Sequence, residues 1–66
     1  MSELSKFGKR VKIQLVKKNK SQAWLIEEVK NRTGLYFDTS YMSKIQTGKK
    51  ETPKIVQAIK EILEIK

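Results

Sequence analysis

A run of hydroxyl and lysine side chains between residues 37 and 50 carries the groups of this chain best suited to chemistry. The run reads FDTSYMSKIQTGKK. Its hydroxyl and ammonium groups belong to Thr39, Ser40, Tyr41, Ser43, Lys44, Thr47, Lys49 and Lys50. A hydroxyl donates to or accepts from several base edges, and a lysine reaches guanine O6 and N7. The chemistry that this run predicts is non-covalent recognition, and the DNA major groove is the target that suits it.

Covalent catalysis is not expected from this composition. The chain has no cysteine and no histidine, so a thiol nucleophile, the commonest general base and the preferred zinc ligands are missing. The sequence contains no glycine-rich phosphate loop. Glu27 and Glu28 are adjacent on a predicted helix, where neighbouring side chains point in different directions. We therefore expect no enzyme activity, no metal, no cofactor and no small-molecule substrate.

A short helix must position the hydroxyl and lysine run. Asp38 is a typical N-cap residue, because its carboxylate can accept from free N–H groups of the first turn. Phe37 and Met42 have the spacing of a hydrophobic staple. Gly48 suits the left-handed residue just past a helix end. The predicted helix covers Thr39–Thr47, with its apolar residues turned inward and its polar residues outward.

An earlier helix is predicted over Leu4–Asn19. Its apolar residues recur at spacings of three and four, which is the helical period. They are Leu4, Phe7, Val11 and Leu15. Ile13 lies opposite this stripe, so it is either exposed or covered by another element.

Two more helices are predicted on either side of the polar one. The second helix follows the N-cap residue Ser21 and ends near Arg32. The last helix has Thr52 as its N-cap and Pro53 at its first position, where the missing N–H of proline costs nothing. No segment alternates at period two, so the fold class is all-α.

Length and charge bound the class of protein. The 66 residues suffice for one domain, spanning residues 1–66, with a small core. The net charge of +8 is concentrated in residues 1–20 and 39–54, at +6 and +3. A polyanion is the natural partner of such a surface, with a merely solubilising charge as the alternative. We expect a cytoplasmic protein, because no apolar run approaches the ~20 residues of a membrane span and no signal peptide is visible.

The order of these signals resembles the Cro/repressor helix-turn-helix family of phage and bacterial regulators. In that family a Thr/Ser-Gln pair opens the second helix, as Ser21-Gln22 does here. A capped polar recognition helix then ends at a Gly-basic pair, as at Gly48-Lys49. A proline-led helix follows, as at Pro53. The resemblance spans nearly the whole chain and implies a compact domain of four to five helices with a lambda-repressor-like fold.

The resemblance also implies a role for each matched residue. The implied DNA-binding residues are Gln22, Thr39, Ser40, Tyr41, Lys44, Thr47, Lys49 and Lys50. Gln22 would touch a phosphate or brace the recognition helix. Thr39 and Ser40 would face base edges, and Lys44 would reach a guanine or a phosphate. Thr47, Lys49 and Lys50 would hold the sugar-phosphate backbone beyond the helix end. Tyr41 could either pack beside Met42 or contact the same backbone, and we expect the contact with DNA.

The implied function is sequence-specific binding of double-stranded DNA by a small transcriptional regulator that occludes a promoter. One module of this size reads few base pairs. We therefore expect a homodimer on a palindromic operator, with half-sites about one helical turn apart.

The chain differs from the family pattern around the turn. Ile26 stands where the family usually has a small residue, and more residues than usual separate it from Gly34. We therefore expect a longer second helix, followed by an apolar connector, residues 35–37, that packs against the fold.

Two alternatives remain open at this stage. A helix-turn-helix scaffold can serve as a protein-interaction module, such as an antirepressor or inhibitor. Trp24, Ile13 and residues 36–37 motivate that alternative, because exposed tryptophan is enriched at interaction sites; Trp24 could instead pack against the connector. The basic first helix could also dock on an anionic membrane, but its apolar stripe is needed for the core.

Overall fold

Four α-helices make up the part of the chain that the computed structural model describes, residues 4–65. They are α1 (Lys6–Lys18), α2 (Gln22–Thr33), α3 (Thr39–Thr47) and α4 (Pro53–Leu63). No strand occurs within these residues. The expected all-α class is therefore confirmed, and the predicted bounds of α3 match the observed ones.

Side-chain oxygens cap the first turns of α1, α2 and α3. The side chains of Ser5, Ser21 and Asp38 each accept from the backbone N–H three residues later, at 3.0, 3.1 and 2.8 Å. These bonds satisfy N–H groups that have no partner within the helix. Because Ser5 is the cap, α1 begins at Lys6 rather than at Leu4.

Left-handed glycines end α2 and α3. Gly34 has a φ of 69° and Gly48 a φ of 79°, which glycine adopts without the clash of a Cβ. Thr52 occupies the predicted N-cap position of α4, but its hydroxyl makes no capping bond. That hydroxyl bonds to the Tyr41 hydroxyl instead. The predicted N-cap position of Thr52 is therefore confirmed. The bond between Thr52 and Tyr41 ties the loop between α3 and α4 to α3.

The core takes apolar residues from all four helices and from the connector. Its buried members are Val11, Leu15, Leu25, Val29, Phe37, Met42, Ile45, Ile55, Ile59 and Leu63. Here α2 packs mainly on α4, whereas α1 contacts both α3 and α4. Phe37 is 1% exposed but Tyr36 is 73% exposed. The expected packing of the connector therefore holds for Phe37 and was wrong for Tyr36 and for Leu35, which is 38% exposed.

The backbones of α1 and α3 touch at Gly8. A Cβ built on Gly8 would lie 2.1 Å from the carbonyl oxygen of Gln46, closer than real Cβ contacts. The same carbonyl accepts from the N–H and the hydroxyl of Ser5, both at 2.9 Å. Glycine at this crossing lets the two helices approach until these bonds form, and the bonds set the position of α3 on α1.

Candidate nucleic-acid interface

One side of α3 faces solvent and the other faces the core. The solvent side consists of Thr39, Ser40, Ser43 and Lys44, which are exposed, and Thr47, which is half-buried. The buried side consists of Met42, Ile45 and Gln46. At about 100° per residue, Ser43 lies between Thr39 and Ser40 on the exposed side. Ser43 is therefore exposed together with the predicted site residues of α3, although the resemblance did not include it.

Both carboxylate oxygens of Asp38 accept hydrogen bonds, one from the first turn of α3 and one from the connector before it. Oδ1 accepts from the Tyr41 N–H at 2.8 Å, and Oδ2 accepts from the Tyr36 hydroxyl. The Tyr36 bond, followed by the Tyr41 bond, lowers the pKa of the Asp38 carboxyl below its usual 3.8, because both bonds stabilise the charged form. The same bond from Tyr36 to Asp38 raises the pKa of the Tyr36 phenol above its usual 10.0. A charged carboxylate and an exposed phenol ring therefore stand together at the start of α3.

Lys49 and Lys50 follow the C-terminal end of α3. The N–H groups of Lys49 and Lys50 both donate to the carbonyl of Lys44, at 2.9 and 3.3 Å. The Lys50 ammonium lies 4.6 Å from the centre of the Tyr41 ring, within the range of a cation–π interaction. Both lysines are exposed, so the polar side of α3 continues into a basic loop.

Tyr41 and Thr47, both predicted to contact the DNA backbone, have intramolecular partners. The Tyr41 ring lies 5.2 Å from the Phe37 ring, and its hydroxyl bonds to Thr52. The Thr47 hydroxyl donates to the Ser43 carbonyl at 3.0 Å. A phosphate oxygen accepts hydrogen bonds, so the single proton of Thr47 cannot serve both partners at once. The predicted DNA contacts of these two residues stay predictions.

The start of α2 lies beside the start of α3. A groove of about 310 Å³ separates them, and its lining includes Gln22, Lys30 and Thr39. Gln22 is half-buried and Thr39 is exposed. The structure thus brings Gln22 next to α3, the placement needed for either of its implied roles.

The second helix extends to Thr33, one residue beyond the predicted end.

Trp24 and Ile13, which motivated the protein-interaction alternative, differ in exposure. Trp24 is half-buried against the core, and the Lys20 ammonium lies 5.3 Å from its ring centre. Ile13 is 53% exposed. It therefore faces solvent and is not covered by another element. Val16, which the sequence pattern did not single out, is 80% exposed.

Sequence reasoning missed three residues that position α3, namely Ser5, Gly8 and Gln46. Gly8 and Gln46 are buried although neither is a large apolar residue. The only signal in the sequence was Gly8, which lies inside a predicted helix. Glycine in a helix is less stable than alanine, so its presence there suggests a packing requirement. A glycine at such a site indicates close approach of another element.

No known protein family, no curated protein and no solved structure matches this chain. Within residues 4–65, no three acidic side chains gather as metal ligands would. None of the described helices combines the length and the apolar character that crossing a bilayer requires.

Proposed function

We propose that this protein is a sequence-specific double-stranded DNA-binding transcriptional regulator of the Cro/repressor kind. In this proposal α2 and α3 form a helix-turn-helix, and α3 is the recognition helix. The supporting observation is the exposed hydroxyl and lysine side of α3, whose opposite side is buried in the core. A rigid helix with a polar outer side fits the major groove, which is wide enough to admit an α-helix.

The candidate contacts divide into two classes. Thr39, Ser40, Ser43 and Lys44 would meet base edges, because their hydroxyl and ammonium groups can pair with the donors and acceptors of the groove. Lys49 and Lys50 would pair with phosphates, which position the helix without reading sequence. The net charge of +8 favours association with a polyanion at every stage of the encounter.

Specific binding by this small domain calls for two copies. In the proposal a homodimer binds a palindromic operator with half-sites about 34 Å apart, one helical turn of DNA. A dimer bound across a promoter would block access of the transcription machinery, so occlusion is the proposed regulatory step.

Selection of bound duplexes from a random DNA pool tests the proposal directly. We expect a palindrome to be enriched, and a titration with that duplex to show strong salt dependence. If about five phosphates are neutralised per monomer, the slope of log affinity against log salt is about −4 to −5 per monomer. A pool without enrichment, together with a slope near zero, would refute DNA binding and favour the protein-interaction alternative.

A pair of lysine variants separates base reading from general charge. Lys44→Ala should weaken binding to the selected duplex by about 1–3 kcal/mol and relax the preference at one base position. Lys17→Ala is the matched control, because it removes the same charge from an exposed position on another helix. Equal losses for both variants would contradict the assignment of Lys44 as a base reader.

A further inference from the structure

We infer that the DNA-binding surface continues from α3 onto one edge of α1, where Lys9 and Lys12 bind phosphates. The inference rests on the proposed function and adds a second helix to its binding surface. It also divides the cations of α1 into two groups. Lys9 and Lys12 form what we call the α3-side edge, whereas Arg10 and Lys17 lie toward α4. Lys6 belongs to neither group, because it lines a groove with both Lys60 of α4 and Lys50 of the loop after α3.

The position of Gly8 defines the two edges of α1. Gly8 is buried against the Gln46 carbonyl of α3. At about 100° per residue, Lys12 lies about 40° from Gly8 and Lys9 about 100°, both in the same rotational direction. Val11 and Leu15 lie in the opposite direction, at about 60° and 20°, and are buried in the core. Lys9 and Lys12 therefore flank the α3 contact on its solvent side.

The same division holds on α3. Relative to Gln46, Thr39 and Ser43 lie at about 20° and 60° in one direction and are exposed. Met42 and Ile45 lie in the other direction, at about 40° and 100°, and are buried. The Gly8–Gln46 contact thus has the core on one side and solvent on the other. The exposed flanks of both helices border this contact, so they form one continuous surface.

Contacts with α4 place the other α1 cations elsewhere. Gln14 donates to the Leu63 carbonyl at 2.8 Å, and Lys18 pairs with Glu64 at 3.2 Å, so these contacts mark the edge of α1 that faces α4. Arg10 and Lys17 line a groove with Glu64 and Ile65. A second groove brings Lys6 and Arg10 together with Lys60.

Phosphate is the ligand that the α3-side edge would bind. Lys9 and Lys12 are both exposed, and α1 carries no acidic residue that could neutralise them. A helix lying in the major groove has sugar-phosphate backbone on both sides, so a neighbouring helix edge meets phosphates rather than bases. Each contact releases condensed counterions, which makes its effect measurable as a change of salt slope.

The test compares Lys9→Gln, Lys12→Gln and the matched control Lys17→Gln in titrations with the selected duplex between 50 and 200 mM salt. Each α3-side variant should reduce the salt slope by about 0.9 and lower affinity about eightfold near 0.1 M salt. The selected base sequence should stay the same, because phosphate contacts carry no sequence information. Lys17→Gln should change affinity less than about twofold, because charge effects are screened beyond about 10 Å at this salt concentration.

Several outcomes overturn the inference, and they are distinguishable from failure of the proposed function. Equal losses of DNA affinity for all three variants would mean that the positive charge of the protein attracts DNA diffusely, without a defined phosphate-binding edge on α1. If the Lys9 and Lys12 variants bind DNA as well as the unaltered protein while Lys44→Ala binds more weakly, the DNA-binding surface is limited to α3. If the unaltered protein selects no duplex, the proposed function fails and the inference fails with it. All three positions are exposed, so we expect each variant to fold, and thermal unfolding of each variant checks this.

Discussion

Replacing Gly8 with alanine should destabilise the protein, although helix propensity alone predicts the opposite. Alanine within a helix is about 1 kcal/mol more favourable than glycine. The added Cβ would lie 2.1 Å from the Gln46 carbonyl oxygen, whereas real Cβ atoms stay at least 3.0 Å away. The two backbones must therefore separate by at least about 0.9 Å, and α3 must shift on α1.

The expected cost follows from that separation. Overpacking a tight contact costs about 1–3 kcal/mol. The two 2.9 Å hydrogen bonds from Ser5 to Gln46 would lengthen as the helices part, and each contributes about 1 kcal/mol. After the gain in propensity is subtracted, we expect a net loss of about 2–4 kcal/mol. For a domain of this size the melting temperature should fall by roughly 10–30 °C.

Thermal unfolding followed by circular dichroism measures this effect. Val16→Ala is the control, because Val16 lies on the same helix, is 80% exposed and touches no such crossing; it should leave the melting temperature unchanged or slightly raised. A rise in melting temperature for Gly8→Ala would refute the close backbone contact. Under the proposed function, Gly8→Ala should also weaken specific DNA binding at temperatures where the variant remains folded, because α3 is displaced.

Other predictions test the ends of α3 and the core. Gly48→Ala should lower stability by about 1 kcal/mol, because alanine is strained at a φ of 79°; the midpoint of urea unfolding measures this. Phe37→Ala should cost about 3–5 kcal/mol, because the ring is 1% exposed, and a well-folded variant at 37 °C by circular dichroism would contradict that burial. The pKa of Asp38 is lowered by folding, so its contribution to stability is present above about pH 4 and is lost as the pH falls through the lowered value. Tyr36→Phe should raise the pKa of Asp38 toward 3.8, and an unchanged carboxyl titration by NMR would exclude the Tyr36 bond as the main cause.

The helices and their ends were readable from sequence because their signals are local. Ser21 and Asp38 cap the helices that they were predicted to cap, and Gly48 ends α3 as predicted. Each signal needs only the conformation of one residue and a bond within one turn. Thr52 shows where local reasoning stops, because its hydroxyl bonds to Tyr41, a residue far enough away that only the folded loop brings them together.

The candidate interface was predictable in part. The exposed side of α3 follows from helical spacing, so Thr39, Ser40 and Lys44 were found from sequence and lie exposed as expected. The partners of Tyr41 and Thr47 were not found, because hydroxyl groups can form bonds that spacing does not reveal. The DNA contacts assigned to all these residues stay predictions.

The sequence by itself determined the all-α class, the bounds of α3 and the side of α3 that faces solvent, since each depends on short-range propensity and periodicity. Only the tertiary structure decided where α3 lies on α1. That decision depends on the closest approach of two backbones, at Gly8 and Gln46. A glycine and a glutamine in separate helices carry no periodic signal for such a contact, which exists only once the core has packed the helices together.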